Sequence, residues 1–242
     1  HLLGYPCDMD EINKLAQENG LNVLEDCAQA HGAFYKGRPV GSLGDVSAFS
    51  FCQDKIMSTG GEGGMLITNN EEIWKKSWSY KDHGKSQQAM LETKGKNRFN
   101  WVHESFGTNW RMTEMQAAIG LVQLSKLSSW VASRRENAET LNLAFVDADE
   151  FVKPDFSVDR YHAFYRYSVL IDQNRLNKNW DRDRIVDELN TQGVSCGSGI
   201  CPEIYLEPAF KKNNLYQNTR LPVAKSCGER SIQFPVHQTL SR

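Results

Sequence analysis

The sequence predicts an α/β layer fold with a mostly parallel central sheet, followed by a smaller α+β unit. Three observations carry this. Short apolar strands alternate with capped helices from Asp8 onward. A long apolar helix pattern starts at Thr113. Beyond a boundary near residues 143–155, a second and shorter set of strand and helix patterns begins. The expected division is a large domain over 1–145 and a small domain over 146–242.

The elements follow in order. Asp8 stands at a helix cap, with Glu11 at capping-box spacing. Ile12, Leu15 and Ala16 then form the apolar stripe, and Gly20 ends the helix. "NVLE" (22–25) is a short strand, with Asp26 just past it. "AFYKGRPVG" reads as a hairpin around Lys36 and Gly37. "DVSAFSF" (45–51) sets Val46, Ala48 and Ser50 against Ser47, Phe49 and Phe51, the strand period of two. "GMLIT" (64–68) is a further strand, and a helix carrying Ile73, Trp74 and Trp78 follows it. Residues 84–105, with "KGKNRFN" at their centre, are polar and irregular and read as a surface loop. Thr113 and Gln116 repeat the capping-box spacing, and Met115, Ile119, Leu121, Val122 and Leu124 make the helix that follows unusually apolar. Past the boundary, "YHAFYRYSVLID" alternates as a strand, Asp181 caps a helix running to Gln192, and "VSCGSGI" (194–200) returns as a strand.

Composition excludes several classes of function. The 242 residues are 40% apolar and 24% charged, an ordinary globular balance. The net charge of −2 offers no electrostatic footprint for nucleic acid or an anionic membrane. No apolar run approaches the ~20 residues of a membrane span, and no signal-peptide pattern is visible. The six cysteines form no CxxC pair, so they read as reduced thiols of a cytoplasmic protein, with no metal cluster. "HLLGYPCDMDEI" opens without a methionine, as if already inside a fold, so a preceding segment is expected.

Lys55 is the first candidate for chemistry. It is either a solvated surface lysine or an amine held for nucleophilic attack on a carbonyl. Its place after a half-buried strand and before "GGEGG" favours the second, because glycines let backbone approach a ligand closely. The glycine run is not a phosphate-binding P-loop, since no Lys-Ser or Lys-Thr follows at the required spacing. Asp26 at a strand's carboxyl end stands where α/β sheets bind ligands, or else is a turn residue. Gln29 lies one turn further on, and Ser50 at its strand end can donate to a phosphate or simply pack in the sheet. An amine, a carboxylate and a hydroxyl within one α/β unit suggest pyridoxal 5′-phosphate.

Three motifs then meet a family. "EDCAQAHGA", "GSLGDVSAFSF…K…GGEGGML" and "GTNWRMTEMQAAIGLVQL" resemble the DegT/StrS-type sugar aminotransferases, fold-type-I pyridoxal-phosphate enzymes. The likeness covers most of residues 1–135 and is looser in "YHAFYRYSVLI" and "IYLEPAF". It implies that Lys55 carries the cofactor, Asp26 partners its pyridine nitrogen, Gln29 contacts its ring hydroxyl face and Ser50 binds its phosphate. It further implies that Asn109 reaches the phosphate bound to the other subunit of a homodimer, and that Arg111 binds an anionic group of the substrate. A helix beginning after Thr113 adds a field favourable to anions there. The implied reaction moves an amino group from glutamate to a keto carbon of a nucleotide-linked deoxysugar, for surface polysaccharide, lipopolysaccharide or aminosugar assembly. The alternatives are a non-catalytic regulatory member and a pyridoxal-phosphate sugar dehydratase, whose relatives carry histidine where this chain has Lys55. Members of the family are longer, so the chain is expected to lack part of both ends. "CPEIYLEPAF" departs from a pattern that has histidine at about Tyr205, which leaves the particular sugar open.

Overall fold

The computed structural model describes residues 1–95, 98–153, 156–199, 201–215 and 219–240. In chain order the elements begin with α1 (Met9–Glu18), β1 (Leu24–Asp26), β2 (Phe34–Tyr35), β3 (Arg38–Pro39), β4 (Val46–Ser50) and β5 (Gly64–Thr68). The helices α2 (Glu71–Lys81), α3 (Gln87–Thr93) and α4 (Glu114–Ala144) follow. Then come β6 (Phe151–Val152), β7 (Arg160–Tyr161), β8 (Tyr167–Ile171), α5 (Arg182–Thr191), α6 (Pro208–Lys212), α7 (Pro222–Arg230) and β9 (Ser231–Phe234). The chain forms two compact units, residues 1–131 with 159–163, and residues 132–158 with 164–242.

In the first unit β4 lies between β1 and β5, parallel to β1 and antiparallel to β5. The parallel register sets Glu25 beside Ser47 and Asp26 beside Ala48. The expected caps form. The Asp8 carboxylate accepts from the Glu11 N–H at 3.3 Å. Thr113 and Gln116 bond reciprocally: the Gln116 side chain accepts from the Thr113 N–H at 3.0 Å, and the Thr113 hydroxyl accepts from the Gln116 N–H at 3.3 Å. The hairpin of β2 and β3 turns at Lys36 and Gly37, with φ of 48° and 75°, the double left-handed geometry of a type I′ turn. β7 adds to β2 as a third antiparallel strand.

Three expectations differ from what forms. Within the stretch read as a loop, Ser86 caps a helix by accepting from the Ala89 N–H at 3.3 Å, and α3 follows; Lys96 and Asn97 of "KGKNRFN" lie outside the described residues. A cap and about two turns of helix need no apolar stripe, so periodicity gave no signal. The stretch "YHAFYRYSVLID" is two strands rather than one, because Phe164 takes φ 48° and breaks the extended run. The second unit compensates that conformation: buried Arg134 donates to the carbonyls of Phe164 and Tyr165 at 3.2 and 3.3 Å, and the Phe164 ring packs edge-on against Phe156. In "VSCGSGI" the described residues make a single bridge, Gly197 to Gln233, instead of a strand; Ile200 lies outside the described residues.

The second unit is built on β8, flanked by β6 and β9 in an antiparallel sheet. Its alternation buries Tyr167, Val169 and Ile171 against Ile232 and Phe234 of β9, Ala138 of α4 and Ile185 of α5. Each such aliphatic or aromatic side chain contributes about 1.5–3 kcal/mol by leaving water. The Tyr167 hydroxyl donates to Asn142 at 2.8 Å; burial, with the Glu139 charge, pushes its pKa up to about 12.

Candidate active site

β1 and β4 run side by side in the same direction, so their carboxyl ends open on one edge of the sheet. Asp26 is the last residue of β1 and Ser50 the last of β4. The Asp26 Oδ1 accepts from the Ala28 N–H at 3.0 Å, which orients the carboxylate in an Asx turn and leaves its second oxygen available. The Ser50 hydroxyl oxygen accepts from the Cys52 N–H at 3.3 Å, which leaves the hydroxyl hydrogen to donate elsewhere. The Gln29 amide oxygen accepts from the Leu3 N–H at 2.6 Å, so its amino group is the part that can meet a ligand.

Lys55 lies in the turn after β4, its N–H bonded to the Cys52 carbonyl at 3.1 Å. Its side chain is 16% exposed, which disfavours the solvated-surface alternative, and its Nζ lies 3.4 Å from Asp54. The glycine run returns beneath this turn. Phe51 donates to the Gly63 carbonyl at 2.8 Å, and Ser50 is the cross-strand partner of Gly64. A β-carbon at Gly63 would collide with the Thr59 hydroxyl, so this approach requires a residue without a side chain.

Asn109 and Arg111 build a second group in the same unit. The Asn109 amide oxygen accepts from Arg111 Nε and Nη2, both at 3.2 Å, which frees the Asn109 amino group to donate. Arg111 Nε also lies 3.4 Å from buried Asp82, whose other neighbour is Lys85 at 3.0 Å. Burial raises the Asp82 carboxyl, but the Lys85 hydrogen bond and the Lys85, Arg111 and His83 charges outweigh it and hold the pKa below the usual carboxylate range. Asn109 and Arg111 are exposed and immediately precede α4, whose first-turn amide Gln116 Nε2 donates to the Glu62 carbonyl at 2.8 Å.

Sequence reasoning missed two residues beside the first group. Glu25 is buried and accepts four hydrogen bonds, one of them from His1. His31 is buried between the rings of Phe49 and Phe51, at 5.4 and 5.9 Å. The one available signal was strand alternation: next to an outward Asp26, Glu25 must face the other side.

The donor set fits pyridoxal phosphate: a largely buried amine, a carboxylate oriented at a strand end, and hydroxyl and amide donors freed by their own backbone partners. The model of the DegT/DnrJ/EryC1/StrS aminotransferase family matches residues 1–242. The chain is 32% identical to the GDP-perosamine synthase of Escherichia coli O157:H7, covering 100% of this chain and 60% of that protein. It is 29% identical to the dTDP-3-amino-3,4,6-trideoxy-α-D-glucose transaminase of Streptomyces venezuelae, covering 100% of this chain and 58% of that one. Among solved structures, the aminotransferase from Psychrobacter cryohalolentis superposes with a TM-score of 0.95 at 52% identity, covering 100% of this chain and 63% of that one. The chain thus spans about three fifths of the length of the proteins it matches. The fold is the expected fold type I of the pyridoxal-phosphate aminotransferases. A family model that matches the whole of this chain, on a fold superposing this closely, carries the conclusion that the chain belongs to the DegT/DnrJ/EryC1/StrS aminotransferase family.

Proposed function

We propose that the protein is a pyridoxal-phosphate-dependent sugar-nucleotide aminotransferase, moving an amino group from glutamate to a keto carbon of a nucleotide-linked deoxysugar. The observation that carries this reading is the placement of Asp26 and Ser50 at the carboxyl ends of one parallel strand pair, with Lys55 largely buried in the turn that follows. The relatives named GDP-perosamine synthase and dTDP-3-amino-3,4,6-trideoxy-α-D-glucose transaminase support the nucleotide-sugar substrate. The reading includes a cytoplasmic enzyme of surface-polysaccharide, lipopolysaccharide or aminosugar biosynthesis. Among the described residues no helix is long and apolar enough to cross a membrane.

The cofactor supplies an electron sink that stabilises negative charge at the carbon gaining or losing the amino group. The residues supply the rest. The Lys55 amine would provide the point of covalent attachment and, once free, would carry the proton between the two carbons that flank the transferred nitrogen, as general base and then acid. Asp26 holds a proton at the pyridine nitrogen. The Ser50 hydroxyl donates to the phosphate and the Gln29 amino group to the ring hydroxyl. Arg111 binds an anionic group of the amino donor or of the sugar nucleotide.

The second part of the proposal is a homodimer with shared sites, in which Asn109 donates to the phosphate bound by the other subunit. Phe99, Trp101, Phe106, Trp110 and Met115 surround Asn109 in sequence and are all exposed, large apolar side chains of the kind a partner subunit would cover. In a two-fold interface such a patch acts twice.

The test is to supply the intact protein with pyridoxal phosphate, glutamate labelled at its amino nitrogen and a panel of nucleotide-linked keto-deoxysugars. Mass spectrometry is expected to find the label in an aminated sugar nucleotide. Absence of label from every sugar, with the protein folded and loaded, refutes the reading.

A further inference from the structure

Side chains alternate along β1, so Asp26 and Glu25 face opposite sides of the sheet. Asp26 looks outward, and Glu25 is only 3% exposed. Both Glu25 oxygens are filled. Oε1 accepts from the backbone N–H groups of Leu43 and Gly44, each at 2.7 Å. Oε2 accepts from the Gly41 N–H at 2.8 Å and from His1 Nε2 at 3.0 Å. A carboxylate offers about four lone-pair positions, so none is left over. The Cys7 N–H donates to His1 Nδ1 at 3.0 Å, which places the imidazole hydrogen on Nε2, pointing at Glu25.

The "GSLG" loop is shaped around this carboxylate. Gly41 has φ of 89°, and a β-carbon there would meet the Phe49 ring at 2.6 Å. At Gly44 it would meet the Val23 carbonyl oxygen at 2.8 Å. Ser47, the cross-strand neighbour of Glu25 on β4, donates to the Gly41 carbonyl at 2.9 Å. Gly41 is therefore gripped through its N–H from β1 and through its C=O from β4. The ligand atoms of His1, Glu25 and Cys27 also lie within 4.8 Å of one another, a spacing that a metal ion could bridge. Filled lone pairs on Glu25 and two engaged ring nitrogens on His1 argue for a clamp instead.

We propose that Glu25, held by the Gly41–Gly44 loop and by His1, is a positioning residue that fixes the carboxyl ends of β1 and β4 and so sets Asp26 and Ser50 for the cofactor. This rests on the reading that Asp26 and Ser50 hold pyridoxal phosphate. Glu25 touches neither cofactor nor substrate; it acts through the strand on whose other face Asp26 stands.

The test is Glu25→Gln in the intact protein. The amide keeps one acceptor oxygen but sets an NH2 group against two existing donors. Its loaded form is expected to release pyridoxal phosphate faster by about tenfold or more, the scale of one hydrogen bond to a charged group. Its phosphorus NMR resonance should move toward that of free cofactor. Ile171→Ala, which disturbs only the second unit's core, serves as the stability control and should leave both readouts at wild-type values. His1→Phe removes one of the four donors and gives a smaller shift in the same direction, so it replaces Glu25→Gln should that variant not fold. Wild-type release and resonance in the loaded variants overturn the proposal while the cofactor reading stands. Failure of the wild type to take up pyridoxal phosphate overturns that reading, and the proposal with it. Zinc binding by the wild type that Glu25→Gln abolishes overturns the clamp in favour of a metal centre.

Discussion

In the proposed function Lys55 is the residue on which the chemistry turns. Lys55→Ala is expected to abolish covalent trapping of pyridoxal phosphate by borohydride; trapping at another lysine, read by peptide mass spectrometry, would displace the assignment. Asp26→Asn keeps the orienting acceptor oxygen for Ala28 but replaces the carboxylate proposed to hold the pyridine proton. It should retain cofactor and slow the half-reaction with glutamate by about a hundredfold or more, near 2.7 kcal/mol of barrier. Rapid-mixing absorbance measurements check this, and a wild-type rate would remove Asp26 from its role. Glu25 adds a pH signature. Burial pushes its carboxyl up, but hydrogen bonds from His1, Gly41, Gly44 and Leu43 outweigh burial and hold it at about 2, below the ordinary 4.5. A lowered folded-state pKa contributes stability that is complete above the ordinary value and is lost as pH falls toward the folded one. Unfolding free energies from urea titrations should therefore drop between about pH 4.5 and 2, by roughly 2–3 kcal/mol from this group. Glu25→Gln should lack that part of the acid slope.

At the scale of elements, caps and strand alternation do most of the specifying. The reciprocal Thr113–Gln116 bonds start a helix of 31 residues, and Thr113→Ala should destabilise the fold by about 1 kcal/mol in chemical denaturation. In β8, Ile171 is fully buried, and Ile171→Ala should cost about 2–5 kcal/mol through lost burial and the cavity left behind. A melting temperature unchanged by Ile171→Ala would mean that the core of the second unit is not where β8 places it. Glycine acts at this scale as well. The loop from Gly41 to Gly44 closes on Glu25 only because two positions lack side chains.

For the whole molecule the decisive question is whether one chain completes another's site. Lys55→Ala and Asn109→Ala chains should each be inactive or nearly so alone. In a mixed dimer one site carries both lesions and the other carries neither, so re-assembled mixtures should regain activity. If exchange is confirmed by mass and the mixture stays inactive, Asn109 serves its own subunit and the shared-site proposal fails.

The sequence by itself determined the α/β class, the positions of most helices and strands, and the family. These rest on local rules: capping-box spacing at Asp8 and Thr113, the two-residue period of 45–51, and motifs whose order along the chain can be read without a fold. Local rules also named Asp26, Gln29, Ser50 and Lys55. Tertiary structure alone decided that Asp26 and Ser50 share a sheet edge, because strand register is a long-range pairing that no window of sequence contains. It decided that Phe164 would break a strand that alternation had drawn through it, since the compensating hydrogen bonds come from Arg134 on a distant helix. It also decided the use of Glu25, a charge beside a charge in "NVLED". Only the return of the chain at Gly41, Leu43 and Gly44 supplies the N–H groups that make burial of that carboxylate favourable.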